Sequence, residues 1–140
     1  LMKITTKGRY GLTIMIELTR NYGKRHVPLK EIAEKHNLSH HYLEQLASSL
    51  RTNNLIKSVR GAGGGYLLTK DPKEIIVGDI IRALEGPILF VEEMENEEAA
   101  QKALWNKLRN AVKNILDTTT LANLIEMERE QTSEEYMFYI

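Results

Sequence analysis

Apolar residues recur at helical spacing from the start of the chain. Tyr10, Ile14 and Leu18 fall on one stripe with Met15 beside it, which predicts a helix from about Lys7 to Asn21, ended by Gly23. Pro28 suits the first turn of a short second helix that turns Ile32 and Ala33 inward and stops at His36-Asn37. Leu38-Ser39 precedes a third helix, from about His40 to Thr52, with Ser39 as N-cap and Leu38 placed to pack on Leu43. Leu43, Leu46, Ala47 and Leu50 form its apolar face, which leaves His40, His41, Glu44, Gln45 and Ser48 pointing elsewhere. Two short helices joined by a turn of a few residues make a helix-turn-helix, whose second member offers polar residues to base edges.

After Asn53-Asn54 the period changes from helical to alternating. Ile56, Ser58 and Arg60 lie on one side and Lys57 and Val59 on the other, the pattern of a strand. The run Gly61-Ala62-Gly63-Gly64-Gly65 breaks the chain before Tyr66-Leu67-Leu68-Thr69, a second strand able to pair back as a hairpin. The remainder reads as helical, with no further sheet signal. A short segment from Val77 to Glu85 ends at Gly86-Pro87, and an acidic stretch from Glu92 to Glu98 leads into the longest helix, from Glu97 to about Leu116. Its seam of Leu104, Leu108, Ala111, Val112 and Ile115 is too long for one small domain to cover, although two copies could cover each other. Thr118 to Thr120 can cap a last helix carrying Leu121, Leu124 and Ile125, before the apolar ending Tyr136-Met137-Phe138-Tyr139-Ile140. The expected fold is mainly α with a small β-hairpin. A winged helix-turn-helix domain spans residues 2–85, and residues 86–140 hold an acidic loop, a long dimerisation helix and a C-terminal partner segment. Leu1, which precedes the more natural initiator Met2, is set aside.

Charge sharpens this division. Residues 1–70 hold 12 Lys/Arg against 4 Asp/Glu, a balance of +8, whereas residues 71–140 hold 7 against 15, a balance of −8. A basic half suits a polyanion such as double-stranded DNA, and an acidic half is free for assembly or regulation, unless both are simply solvated faces. The absence of cysteine excludes disulfides, thiolate zinc sites and cysteine-ligated clusters. No apolar run approaches the roughly 20 residues that cross a bilayer, so a cytoplasmic location is expected and no membrane partner.

Three motifs in this order resemble the bacterial Rrf family of winged-helix transcriptional regulators: Lys7-Gly8-Arg9-Tyr10-Gly11-Leu12, Tyr42-Leu43-Glu44-Gln45-Leu46 and Val59-Arg60-Gly61-Ala62-Gly63-Gly64-Gly65-Tyr66. The likeness continues through Gly78-Asp79-Ile80-Ile81 and Leu84-Glu85-Gly86, and the long helix stands where the family's dimerisation helix would. Members that sense iron or nitric oxide ligate a cluster with three cysteines in the loop before that helix. Here the loop, Pro87 to Glu98, has none, so the resemblance points to the cysteine-free branch that represses cysteine metabolism. It implies a homodimeric repressor of cysteine and sulfur genes without a cofactor, signalled by cysteine synthase as partner. A regulator of the same family with a different regulon is the alternative.

Lys3, Lys7, Arg9, Arg51, Lys57 and Arg60 are expected to neutralise DNA phosphates, with Gly63 and Gly64 letting the wing approach closely. The family resemblance points to Glu44 and Gln45 near base edges, with His41 beginning the reading face. Gln pairs with adenine and Glu accepts from cytosine in the major groove. Against this, Glu44 could only balance neighbouring cations, and the glycine run could be an ordinary hairpin tip. Leu104, Trp105, Leu108, Val112 and Ile115 are the expected dimerisation residues, unless the seam folds back on its own chain. Tyr139 and Ile140 are the candidate contact to cysteine synthase, which generally accepts a partner's C-terminal isoleucine and carboxylate; the aromatic ending could instead pack on the dimer.

Other functions fit less well. A nucleotide-binding glycine loop needs a helix after it, whereas two strands flank this one. His26, His36, His40 and His41 lack the cysteines or convergent carboxylates of a metal site. No nucleophile, base and orienter occur together, which leaves a protein-interaction module as the competitor to DNA binding.

Overall fold

Thr5 and Ser39 open the first and third helices by accepting hydrogen bonds from the backbone N–H groups of Lys7 and Tyr42, satisfying donors that a helix start leaves open. The computed structural model describes residues 3–88, 91, 92 and 94–138. Its helices are α1 (Thr6–Arg20), α2 (Leu29–His36), α3 (His40–Thr52), α4 (Val77–Glu85), α5 (Ala99–Thr118) and α6 (Leu121–Phe138), with strands β1 (Ile56–Val59) and β2 (Gly65–Leu68) between α3 and α4. The mainly helical fold with one hairpin thus stands as expected.

The turn between α2 and α3 is tight because Asn37 takes the left-handed conformation (φ 54°, ψ 49°), which asparagine tolerates. Leu38 N–H then donates to Ala33 O at 2.8 Å, and Ser39 starts α3 at once. In the hairpin, Ile56 pairs with Leu68 and Val59 with Gly65. Two bridges go beyond the expected sheet content. Val27 exchanges both backbone hydrogen bonds with Tyr66, at 3.1 and 2.9 Å, and Ile76 bridges Thr120. Pro72–Glu74 adds a short 3₁₀ turn that no periodicity announced.

One core joins these elements. Ile14 and Met15 of α1, Ile32 of α2, Leu43 and Leu50 of α3, Ile56 of β1 and Ile80 of α4 are all buried to 1% exposure or less. The same core takes in Leu121, fully buried at the start of α6, beyond the expected boundary at residue 85. Thr120 sets that position. Its hydroxyl accepts from Asn123 N–H at 3.1 Å while its own N–H donates to Asn123 Oδ1 at 2.9 Å, a reciprocal cap. Thr118, by contrast, is the last residue of α5. Val77 N–H donates to Thr119 O and Leu121 N–H to Ile75 O, so the α5–α6 junction is stitched to the segment before α4. α5 itself contributes no fully buried residue.

Candidate nucleic-acid interface

The first turn of α1 is anchored by a residue far away in sequence. Glu85, at the end of α4, accepts from Thr5 N–H at 2.7 Å and from Gly8 N–H at 3.4 Å, and also bonds the Thr5 hydroxyl. A carboxylate suits the positive end of a helix dipole. The close approach of α4 is possible because α1 presents glycine: a Cβ at Gly11 would stand 2.0 Å from Leu84 Cδ1. The spacing Gly8-Arg9-Tyr10-Gly11 therefore has a packing cause, and the exposed Lys3, Lys7 and Arg9 are held at one end of the domain. Tyr10 meets Tyr42 edge to face, with ring centroids 6.2 Å apart, and Thr6 Oγ1 lies 3.4 Å from the Tyr42 hydroxyl. The start of α1 thus abuts the start of α3.

Along α3, His41, Glu44 and Gln45 are all exposed, on the side opposite buried Leu43, Leu46, Ala47 and Leu50. Gln45 Nε2 lies 3.4 Å from His41 Nε2, and His40 Nδ1 lies 3.2 Å from Glu44 Oε1. A groove of about 420 Å³ brings these elements together, lined by Pro28 with Leu29 and Lys30 at the start of α2, His40, Glu44, Ser48 and Arg51 of α3, and Gly64, Gly65 and Tyr66 of the wing. Glu44 and Arg51 of α3 and Gly64 of the wing, expected as site residues from two separate stretches, share this one concavity. Lys30 was missed by sequence reasoning, since only the turn between α2 and α3 brings it beside Arg51. Glu44 shares the groove with Lys30 and Arg51 and stays exposed.

The wing glycines divide in two. Gly61 (φ 101°) and Gly63 (φ 78°) occupy conformations that side chains rarely adopt and have open space around them. Gly65 is required by packing, because a Cβ there would stand 2.5 Å from the Val27 backbone. The tip therefore needs positive φ on conformational grounds alone, while Arg60 and Lys57 remain exposed beside it.

On α1, Glu17 is buried at 5% exposure. Lys35 Nζ lies 2.7 Å, His36 Nε2 3.1 Å and Arg20 2.5 Å from its Oε1, and Arg20 also pairs with Glu128 of α6. Burial is the largest influence on this carboxyl and would raise its pKa. The hydrogen bonds from Lys35 and His36 and the charges of Lys35 and Arg20 outweigh burial and hold it below the ordinary 4.5. This cluster fixes α2 against α1 and ties both to α6.

On α5 the expected seam separates into two faces. Leu104 and Ile115 are exposed, at 49% and 63%. Trp105 and Val112 instead line cavities of their own chain, and Leu108 is half-buried. Tyr139 and Ile140 lie outside the described residues.

Residues 4–127 match the Rrf2 family, described as iron-dependent transcriptional regulator. The HTH-type transcriptional regulator CymR of Bacillus subtilis is 57% identical over 99% of this chain and 100% of its own length. The HTH-type transcriptional regulator IscR of Sodalis glossinidius is 40% identical over 91% of this chain and 81% of its own. Two solved structures agree. That of CymR, "the Global Cysteine Regulator of B. subtilis", superposes with a TM-score of 0.86, covering 91% of this chain and 98% of that one at 57% identity. Staphylococcus aureus CymR gives 0.76, with 86% and 95% covered at 55% identity. The iron of the family's description finds no thiolate here, since the sequence contains no cysteine, and no group of three or more potential metal ligands converges among the described residues. No helix among the described residues is long and apolar enough to cross a membrane. With its helix-turn-helix, its wing and these likenesses over nearly its whole length, the chain belongs to the Rrf2 family of DNA-binding transcriptional regulators and is not an enzyme.

Proposed function

We propose that this regulator is a sequence-specific repressor of cysteine and sulfur-metabolism genes. The observation that carries the reading is the groove in which Glu44 and Arg51 of α3 face the wing, on a chain 57% identical to CymR, the global cysteine regulator of B. subtilis. His41, Glu44 and Gln45 read base edges in the major groove, where bidentate contacts discriminate by about 1–3 kcal/mol each. Lys3, Lys7, Arg9, Arg51, Lys57 and Arg60, joined by Lys30, neutralise phosphates, and Gly63 and Gly64 bring the wing backbone close to the duplex.

The repressor acts as a homodimer on a palindrome, its two recognition helices roughly 34 Å apart. Support comes from Leu104 and Ile115, exposed on a helix without a buried residue of its own. Trp105, Leu108 and Val112 back this surface from the inner side of α5. Cysteine synthase is the signalling partner, with Tyr139 and Ile140 as its contact.

The test is selection of bound sequences from a random DNA pool, with and without cysteine synthase, followed by affinity measurement across salt concentrations. A palindromic site upstream of sulfur-assimilation genes, bound with a steep salt dependence, is expected. A strong palindrome unrelated to such genes would assign a different regulon. Binding of the synthase with no DNA selected at any salt concentration would make the chain a protein-interaction module.

A further inference from the structure

A cavity of about 540 Å³ lies between the end of α4 and the middle of α5, lined by Arg82, Gly86, Pro87, Ile88, Arg109, Val112 and Lys113. Its volume falls within the range of small-molecule sites, about 300–1,000 Å³. Its lining is unusual in charge, because among the described residues three cations and no carboxylate border walls that are otherwise apolar. Arg82 is already neutralised, with Nη2 at 2.6 and 2.8 Å from the two Asp117 oxygens. Arg109 and Lys113 are not. Among the described residues neither lies within ion-pair distance of a carboxylate, and the one side-chain partner of Arg109 is Asn106 Oδ1 at 2.8 Å. Half-buried Arg109 also borders a second cavity of about 210 Å³, which includes Trp105. Trp105 Nε1, one helical turn from Arg109, is the one buried side-chain donor or acceptor without a hydrogen-bond partner among the described residues. Among the described residues, then, Arg109 and Lys113 have no carboxylate at ion-pair distance and Trp105 Nε1 has no acceptor at hydrogen-bond distance, although Glu92 and Glu97 also line the smaller cavity.

We propose that this cleft is a binding site for a small amphipathic carboxylate. The carboxylate sits on Arg109 and Lys113, and the hydrocarbon portion lies against Pro87, Ile88 and Val112. The planar guanidinium of Arg109 favours a carboxylate head, and the apolar wall favours a chain of a few carbons over a bare anion. The ligand bridges the start of the α4–α5 loop to α5, beside the Arg82–Asp117 pair that joins α4 to α5. The site is remote from the DNA-reading groove and does not depend on the operator.

Calorimetric titration of the full chain with sodium hexanoate tests the proposal, with acetate, 1-hexanol and inorganic phosphate as comparison probes. Trp105 is the chain's single tryptophan, so its fluorescence gives a second readout beside Arg109. Saturable hexanoate binding is expected, at least about tenfold tighter than acetate or 1-hexanol, with a further loss of about tenfold in Arg109→Gln/Lys113→Gln whose circular dichroism is unchanged. Phosphate binding equal to hexanoate would overturn it, reducing the cleft to a cationic patch. So would the absence of saturation up to about 10 mM, a free energy below about 3 kcal/mol. A double variant that weakens self-association and leaves hexanoate binding unchanged would also overturn it, identifying the cleft as part of the contact between two copies.

Discussion

Replacing Glu17 by Gln keeps the shape and one acceptor oxygen but removes the charge on which Lys35, His36 and Arg20 converge. Breaking a buried ion pair costs about 3–5 kcal/mol when it strands a charge away from water. Here the cations are not stranded: side-chain exposure is 54% for Lys35, 33% for Arg20 and 32% for His36. Each recovers water when the carboxylate is gone, so the expected loss is smaller, about 1–2 kcal/mol. In a chain of this length that lowers Tm by roughly 3–8 °C near neutral pH. The pH dependence has a definite sign. The folded carboxyl titrates below its ordinary 4.5, so its contribution is complete above that value and disappears as pH falls through the lowered folded value. Thermal melts of both proteins followed by circular dichroism, from about pH 7 down to about pH 3, should show a gap that closes in the acid range. Equal melting temperatures near neutrality, or a gap of constant size at every pH, would refute the reasoning.

Gln45→Ala should cost about 1–3 kcal/mol on the selected operator and relax preference at one base position, checked by competition with operators altered there; an equal loss on every sequence would make Gln45 a mere backbone contact. Arg51→Ala should weaken binding to all sequences alike and reduce the slope of log K against log salt by about one. Leu104→Glu combined with Ile115→Glu should shift sedimentation from dimer to monomer without lowering helix content, because both side chains are exposed within one chain. Gly65→Val should unfold the wing at lower temperature, by about 1–3 kcal/mol of overpacking against the Val27 backbone, visible as early amide exchange at Tyr66.

Local rules decided the elements. The recognition helix was legible to the residue, His40 to Thr52, because Ser39, the apolar spacing of Leu43, Leu46, Ala47 and Leu50, and the Asn53-Asn54 stop all act within a few positions of each other. The same holds for α4, between Val77 and the break at Gly86. The hairpin followed from a change of period around five residues rich in glycine. Family membership was legible too, because its motifs are short contiguous runs. The exposure of His41, Glu44 and Gln45 also follows from helical period alone.

Only the tertiary structure decided which distant residues meet. Glu85 reaches the start of α1 across 80 positions, and no periodicity encodes a carboxylate capping a different helix. Lys30 joins the groove because the turn at Asn37 folds α2 against α3, and Glu17 finds its partners because α2 brings Lys35 and His36 to it, beside an Arg20 that also pairs with Glu128 of α6. The apolar stripe of α5 read as one seam, yet packing turns Trp105 and Val112 toward their own chain and leaves Leu104 and Ile115 outward. Leu121 likewise completes the core of a unit whose other members end before residue 85. Periodicity states that a face is apolar; what covers that face is a matter of long-range contacts, whose energy resides in the folded arrangement and not in any window of sequence.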